Sequence, residues 1–259
     1  MFLIHPVPAF QDNYLWVIHN DVDAIAVDPG DALVVSAYLK QKQLTLRAIL
    51  ITHRHDDHIG GVGALAAEFA PIPVYGPISE ATAVSTHTVV EGNTVEALGL
   101  QFNVMEVPGH TLGHVAYYCA SLDAVFVGDT LFACGCGRMF EGTAIQMHAS
   151  LQKLAARPAH TRAYCAHEYT MANIAFALAI EPKNQALQIR TTFSRAQRSK
   201  NIPTVPSTIK LELETNPFLR TNIDAVQRVA ALKSGVSIEL LRTNPHEVFA
   251  ILRSWKNTF

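Results

Sequence analysis

Apolar runs that end on histidine or aspartate recur along the first two-thirds of the chain. Each run is short and bounded by turn residues, as expected of strands buried in a sheet. Five runs show the pattern, at residues 24–28, 48–58, 104–110, 124–129 and 162–167. Strands that end side by side bring their terminal side chains together, so the pattern predicts a metal site at a sheet edge.

The densest polar cluster follows an apolar run directly and holds five potential metal ligands in seven residues. It consists of Thr52, His53, Arg54, His55, Asp56, Asp57 and His58. Side chains alternate between faces in extended backbone, which places His53, His55 and Asp57 on one side. Arg54 and Asp56 then face away, and we expect them to be solvated loop residues.

Helical spacing begins after this cluster. Apolar residues in the segment 59–69 recur at helical intervals once past the glycines. A helix that begins near His58 would turn this side chain away from the line of His53 and His55. The sequence therefore predicts a second coordination centre beside the first.

The pattern of the chain changes near residue 168, which predicts two domains, 1–168 and 169–259. Four further helices are expected, at residues 32–41, 143–157, 171–180 and 184–200. Residues 202–208 are typical of a loop. Near the end, Asn244 is expected to cap a helix that has Pro245 at its first position.

Composition excludes several classes of function. The 259 residues are 49% hydrophobic, which supplies a full core, and the net charge of −2 comes without a long basic run. Nucleic-acid and membrane-surface binding are therefore not expected. Without a secretory signal or a run of membrane-spanning length, the chain is predicted to be cytoplasmic. The cysteines follow no CxxC pattern and are interpreted as reduced structural thiols: Cys119, Cys134, Cys136 and Cys165.

Seven residues form the candidate ligand set: His53, His55, Asp57, His58, His110, Asp129 and His167. Imidazole and carboxylate donors without thiolate suit zinc, iron or manganese. The set divides naturally between two metal ions, which Asp129 can bridge with its two oxygens. Two ions about 3.5–4 Å apart can hold a hydroxide and polarise a carbonyl, which is hydrolytic chemistry.

The order of these motifs resembles the metallo-β-lactamase superfamily. The resemblance rests on Thr-His-x-His-x-Asp-His at 52–58, Pro-Gly-His-Thr at 108–111, Gly-Asp-Thr at 128–130 and a late histidine. Within the superfamily, the chain closely resembles the hydroxyacylglutathione hydrolase (glyoxalase II) family. That resemblance extends over nearly the whole length, at residues 10–14, 136–138, 141–144, 167–169, 203–208, 216–220 and 253–256.

The resemblance implies a fold and a ligand assignment. The implied fold is α+β, a four-layer αβ/βα sandwich followed by a smaller all-helical C-terminal domain. The implied assignment puts one metal on His53, His55 and His110, the other on Asp57, His58 and His167, and Asp129 between them. Asp129, Asp57 and His58 are then the catalytic residues. His114 is expected to be a hydrogen-bonding neighbour, and Asp28 a structural residue that contacts a ligand histidine.

The resemblance also implies the substrate. Arg138, Tyr169, Arg253 and Lys256 would bind the glutathione half of a thioester, although Arg253 and Lys256 alone would suggest solvated charges at a helix end. Phe140 stands where some relatives have tyrosine. The phenolic hydrogen bond is lost there, so only the backbone N–H of Phe140 is expected to bind the substrate. A hydroxide bridging two ions, with zinc preferred over iron or manganese, would attack the thioester carbonyl.

The expected reaction is hydrolysis of an S-(2-hydroxyacyl)glutathione. The preferred substrate is S-D-lactoylglutathione, giving D-lactate and glutathione in the second step of methylglyoxal detoxification. A leaving thiol with a pKa of about 8.5 departs without a dedicated general acid, and none stands out in the sequence. We expect a monomer with no nucleic-acid or membrane partner.

Three rival functions remain open at this point. One is another metallohydrolase of the same fold, such as a β-lactamase or an RNA-processing nuclease. The second is a persulfide dioxygenase with a single iron, and the third is a non-catalytic binding module. The number of metal ions per chain and the uptake of oxygen would separate the first two.

Overall fold

The computed structural model describes residues 1–80 and 84–259, and these residues form two six-stranded sheets with helices around them. The first sheet consists, in spatial order, of β1 (Leu3–Ala9), β2 (Asn13–His19), β3 (Asp23–Val27), β4 (Thr45–Leu50), β5 (Val74–Pro77) and β6 (His87–Val89). The strands β1 to β3 pair antiparallel, and β3 to β6 pair parallel. This sheet forms the N-terminal half of the sandwich.

The second sheet faces the first. Its strands are β7 (Thr94–Ala97), β8 (Leu100–Glu106), β9 (Val115–Cys119), β10 (Ala124–Gly128), β13 (Arg162–Cys165) and β14 (Ser207–Thr208). Their spatial order is β14-β13-β10-β9-β8-β7, with β10 and β13 parallel and the other pairs antiparallel. A separate small hairpin joins β11 (Leu131–Phe132) to β12 (Gly135–Cys136).

The continuous apolar runs follow from burial on both faces of each sheet. In β4, Ala48 and Leu50 pack between the sheets, whereas Ile49 belongs to a second core on the outer face. Trp16 of β2 meets Tyr164 of β13 edge to face, with 4.8 Å between the ring centroids. Full burial of a Leu or Ile side chain contributes about 1.5–3 kcal/mol, so both cores are substantial.

Helices cover the outer faces of both sheets. In chain order they are α1 (Ala32–Lys42), α2 (Asp56–Ile59), α3 (Val62–Glu68), α4 (Ala144–Ala155), α5 (Thr170–Ile180), α6 (Gln185–Arg198), α7 (Ile209–Thr215), α8 (Asp224–Ser234), α9 (Ile238–Thr243) and α10 (Pro245–Lys256). Leu39 of α1 and Leu65 of α3 join the outer core of the first sheet, and Leu151 of α4 joins the core of the second. The predicted αβ/βα order of layers is confirmed.

Beyond residue 168 the chain is mostly helical, with two departures from expectation. Residues 202–208 are not entirely loop, because Ser207 and Thr208 form β14 on the free edge of β13. A two-residue strand carries no periodicity of its own, so only the neighbouring edge reveals it. Asn244 precedes α10 and Pro245 opens it, but the Asn244 side chain donates to the Leu240 carbonyl oxygen at 2.9 Å.

Among helices in the described ranges, none is long and apolar enough to cross a membrane.

Candidate metal centre and substrate cleft

The candidate ligands lie where strands end. Strand β4 leads into His53 and His55, β8 into His110, β10 into Asp129, and β13 into His167. Strands β8, β10 and β13 run in one direction, because β9 is antiparallel to both β8 and β10 while β13 is parallel to β10. Their carboxyl ends therefore share an edge of the second sheet, and the end of β4 faces them across the sandwich.

Three histidine nitrogens form the first ligand group. Nδ1 of His55 lies 3.0 Å from Nε2 of His53 and 3.0 Å from Nε2 of His110. All three nitrogens lie within 4.8 Å of one another. Three imidazoles that converge in this way leave further coordination positions open, as a catalytic metal site requires.

The second ligand group combines one carboxylate with two histidines. Oδ2 of Asp57 lies 3.6 Å from Nε2 of His58 and 3.4 Å from Nε2 of His167. The predicted alternation put Asp57 on the side of His53 and His55, and this is wrong. Helix α2 begins at Asp56, two residues before the expected start near His58, so Asp57 turns toward the second group.

Asp129 lies between the two groups. Its Oδ1 is 3.4 Å from Nε2 of His58, in the second group. Its Oδ2 is 3.5 Å from Nε2 of His110 in the first group and 3.4 Å from Nε2 of His167 in the second. The Asp129 backbone N–H donates to Nε2 of His114 at 3.1 Å, which gives His114 the neighbouring role expected from the sequence.

Hydrogen bonds at Nδ1 orient three of the ligand histidines. Nδ1 of His58 contacts Oδ2 of Asp28 at 3.0 Å, and Nδ1 of His167 contacts Oδ1 of Asp12 at 2.8 Å. Nδ1 of His110 donates to the carbonyl oxygen of Arg138 at 2.8 Å. A proton held at Nδ1 leaves the Nε2 lone pair free for a metal.

Asp28 also belongs to a third possible ligand group, with His53 and His58. Both Asp28 oxygens already accept hydrogen bonds from Thr52, at 2.7 Å each, and Oδ2 also contacts His58. The Thr52 hydroxyl in turn lies 3.1 Å from Nδ1 of His53. Asp28 is therefore engaged by Thr52 and His58 and supports the candidate ligand histidines, as the sequence led us to expect.

Electrostatics at the site favour an added positive charge. Burial alone would lower the pKa of His58, but the carboxylates of Asp129 and Asp28 raise it well above its usual value. Burial also opposes protonation of His167, yet hydrogen bonds to Asp129 and Asp57 raise its pKa to about 10. Within residues 1–80 and 84–259, the buried atoms Nε2 of His58 and Oδ1 of Asp129 have no hydrogen-bond partner. A divalent cation would satisfy both atoms, so the donor set fits a metal ion.

A cleft of about 530 Å³ opens beside the candidate metal ligands. It is lined by His110, Asp129, Phe132, Cys136, Arg138, Phe140, Tyr169, Ala172, Asn173, Arg253 and Lys256. The Tyr169 ring stacks on His167, with 4.7 Å between centroids and 4° between planes. The five residues expected to bind substrate therefore lie in one cavity with two of the expected metal ligands.

The cations of the cleft differ in their surroundings. Arg138 is exposed, and its side chain makes no hydrogen bond or ion pair within the described part of the chain. Arg253 is buried and donates to the Cys136 carbonyl oxygen at 3.3 Å and to Oδ1 of Asn257 at 2.6 Å. Nζ of Lys256 donates to the Ala172 carbonyl oxygen at 3.0 Å. Burial and the nearby Arg253 lower the pKa of Lys256.

Phe140 does not offer its backbone N–H to a ligand, contrary to expectation. That N–H donates to the His110 carbonyl oxygen at 3.2 Å. The residue is 64% exposed, and its ring lies 5.2 Å from the His110 ring, centroid to centroid. The backbone of Phe140 thus closes the loop that follows β12, and its side chain contributes apolar surface to the cleft.

Sequence reasoning missed four lining residues: Phe132, Cys136, Ala172 and Asn173. Phe132 contacts the ring of Tyr169 edge to face at 5.2 Å. Asn173 donates to the Ala133 carbonyl oxygen at 3.1 Å and thereby ties α5 to the β11–β12 hairpin. These are mostly small or apolar residues without spacing signals, so only the tertiary structure reveals them.

Comparisons with known proteins match two families to successive parts of the chain. Residues 10–167 match the family described as metallo-beta-lactamase superfamily, and residues 168–259 match hydroxyacylglutathione hydrolase C-terminus. A hydroxyacylglutathione hydrolase of Nitrosomonas eutropha is 48% identical, covering 100% of both chains. One of Pseudomonas paraeruginosa is 49% identical with the same coverage.

Solved structures with the same fold include a B3 metallo-β-lactamase, BLEG-1. It is 27% identical, with a TM-score of 0.64, over 85% of this chain and 99% of its own. The protein TTHA1623, solved in a di-iron-bound form, is 25% identical, with a TM-score of 0.60, over 83% of this chain and 100% of its own. The fold is thus shared with a metallo-β-lactamase and with a protein that was solved in a di-iron-bound form.

Proposed function

This chain belongs to the hydroxyacylglutathione hydrolase family of the metallo-β-lactamase superfamily, and from that premise we propose that it hydrolyses the thioester of an S-(2-hydroxyacyl)glutathione. The preferred substrate is S-D-lactoylglutathione, which gives D-lactate and glutathione. In the cell this is the second step of methylglyoxal detoxification. The full-length relatives support this assignment over a persulfide dioxygenase or a β-lactamase.

One observation carries the proposal: the ligand groups and the cationic side chains share a single cleft. His110 and Asp129 line this cavity together with Arg138, Arg253 and Lys256. Glutathione carries two carboxylates, which guanidinium and ammonium groups bind by charge-assisted hydrogen bonds. A substrate anchored by its glutathione half would present its thioester to the metal ligands.

The donor set and the family support divalent metal binding, and we assign two zinc ions per chain. The first would be held by His53, His55 and His110, the second by Asp57, His58 and His167, and Asp129 would bridge them. Such ions supply Lewis-acid chemistry, lowering the pKa of water and polarising a carbonyl oxygen. No thiolate ligand is required, because imidazole and carboxylate donors make up both ligand groups.

The chain's own residues would orient the reactants. Asp129, Asp57 and His58 would hold the ions that activate water, and would thereby set where the water attacks the thioester carbon. Tyr169 stacks on His167 and faces the cleft, and the exposed guanidinium of Arg138 is free to bind a glutathione carboxylate. The departing glutathione thiol needs no general acid, because a pKa of about 8.5 makes its thiolate a good leaving group.

The two parts of the chain would have different functions, metal binding and substrate binding. Residues 1–168 supply every proposed metal ligand, and residues 169–259 supply Tyr169, Arg253 and Lys256. Since the cleft draws residues from both parts, we infer that the C-terminal helices select the substrate. A monomer acting in the cytoplasm remains the prediction from sequence.

Thiol release is the direct test. The purified protein is assayed with S-D-lactoylglutathione and with the same acyl group on N-acetylcysteamine, which lacks the glutathione carboxylates. We expect kcat/KM to be at least about 100-fold higher for the glutathione ester, since two charge-assisted hydrogen bonds are worth about 1.5–3 kcal/mol each. Metal content is measured on the same sample.

Each contrary outcome would refute a different part of the proposed function. Equal rates for the two thioesters would refute glutathione recognition. Oxygen uptake with one iron per chain would favour the dioxygenase alternative. Hydrolysis of a β-lactam in preference to either thioester would favour the rival metallohydrolase.

A further inference from the structure

Two glutamates outside the ligand set connect the loops of the first ligand group. Oε2 of Glu80 accepts from the Arg54 backbone N–H at 3.0 Å, and its Oε1 accepts from the Gly113 backbone N–H at 2.9 Å. Glu141 accepts from the Leu112 backbone N–H at 2.9 Å and from the Arg54 guanidinium. Each carboxylate therefore joins the loop after β4 to the loop after β8.

The location of these bonds determines what they fix. Arg54 lies between His53 and His55 in the chain, so an anchor on its backbone restrains both ligands. Gly113 lies in the turn that begins at His110. Alternation points the Arg54 side chain away from the ligands, and the side chain is exposed, as expected of a solvated loop residue. Its guanidinium also reaches the two glutamates, which the sequence did not predict.

Gly113 shows how closely the two loops approach. A Cβ at this position would lie 2.6 Å from Oε1 of Glu80 and 2.6 Å from the hydroxyl oxygen of Ser79. No side chain fits there without displacing the carboxylate. The absence of a Cβ thus lets Glu80 bond the Gly113 backbone directly.

The burial of Glu80 is costly unless its hydrogen bonds compensate. Its side chain is 0% exposed, and the Arg54 guanidinium is 4.0 Å away. A buried carboxylate is tolerated when charged or polar groups satisfy it, and two backbone N–H donors do so here. Glu80 contacts none of the seven proposed ligands, so it acts on them through the backbone.

We propose that Glu80 is a positioning residue that sets the distance of His53 and His55 from His110. It thereby controls the affinity of the first ligand group for its metal and leaves the second group largely unaffected. This inference rests on the ligand assignment of the proposed function. Glu141 reinforces the same connection from the exposed side.

The first test replaces Glu80 by Gln in the full-length protein. A carboxamide keeps one acceptor oxygen but turns an NH2 donor toward the other backbone N–H, so one of the two connections is broken. We expect one of two zinc dissociation constants, measured by chelator competition, to rise about 10- to 100-fold, as for other residues that support metal ligands. The absorption bands of bound cobalt should change for that ion alone.

Glu212→Gln is the matched control. Glu212 is also 0% exposed, and its Oε2 accepts from the Cys134 backbone N–H at 2.8 Å. It contacts no proposed ligand and no ligand loop. This variant should lower Tm but preserve both zinc dissociation constants, which separates positioning from general loss of stability.

Gly113→Ala tests the same connection from the opposite loop and covers the case in which Glu80→Gln does not fold. The added methyl group should displace the Glu80 carboxylate and weaken the same ion. The proposal is overturned if either folded variant retains both wild-type dissociation constants, or if both ions weaken equally. A wild-type protein that fails to bind two ions would instead overturn the ligand assignment.

Discussion

Replacing Asp129 by Asn should remove metal from both ligand groups. The Asp129 side chain is only 10% exposed, and one of its oxygens lies 3.4 Å from Nε2 of His58. The other oxygen lies 3.5 Å from Nε2 of His110 and 3.4 Å from Nε2 of His167. Asn keeps the shape of the side chain, so the change tests charge and donor type rather than packing.

The expected magnitude follows from the charge that is lost. Unit charges about 4 Å apart attract by about 4 kcal/mol at an effective dielectric constant of about 20. Since about 1.4 kcal/mol is a factor of ten, binding should weaken by at least about 1000-fold, and a divalent ion interacts more strongly still. The amide NH2 also replaces one of the two oxygens needed for a bridge.

The assay combines metal content after dialysis with thiol release from S-D-lactoylglutathione. Asp123→Asn is the control, because Asp123 directly precedes β10, yet its side chain is 56% exposed and contacts His160 at 3.0 Å. We expect the control to keep two ions and full turnover, and Asp129→Asn to lose both. Asp129→Asn protein with two ions per chain and normal kcat would refute the bridging assignment.

Other predictions address substrate binding, metal dependence and stability. Lys256→Ala should raise KM about 10-fold with little change in kcat, because its proposed role is to bind a part of the substrate far from the reacting carbon; a fall in kcat alone would contradict this. Arg253→Ala should also raise KM, and should lower Tm because its bond to the Cys136 carbonyl oxygen is lost. Removal of metal by a chelator should abolish thiol release, and zinc should restore it; turnover by metal-free protein would rule out the mechanism. Arg190→Met should lower the free energy of unfolding by about 3–5 kcal/mol, because Glu212, 2.6 Å from Arg190, would be left as an unpaired buried charge. A loss below about 1 kcal/mol in urea unfolding would contradict this.

The sandwich could be predicted because its signal is local. Strands buried on both faces must be apolar throughout, and five such runs here end on histidine or aspartate. The order of those strand ends also matched a known family, which supplied the fold and the substrate. Helices α5, α6 and α10 were readable from their spacing and capping residues, whereas α7, α8 and α9 were not predicted. Strand β14 was not readable either, because it exists only as an edge partner of β13.

The candidate site could be predicted in content but not in orientation. Alternation described His53 and His55 correctly and failed at Asp57, because α2 begins at Asp56. The role expected of the Phe140 backbone N–H failed for a related reason: that N–H bonds to a carbonyl oxygen distant in sequence. Residues linked across long sequence distances leave no pattern that a periodicity can detect.

The sequence by itself determined which side chains stand at the strand ends and in what order, since strand burial and turn chemistry act between near neighbours. The tertiary structure alone decided which of them meet. Asp129 contacts both ligand groups, and Glu80 connects two ligand loops, only because sheet packing brings distant segments within hydrogen-bond distance. The cleft that joins the metal ligands to Arg253 and Lys256 likewise forms only when the C-terminal helices pack on the sandwich.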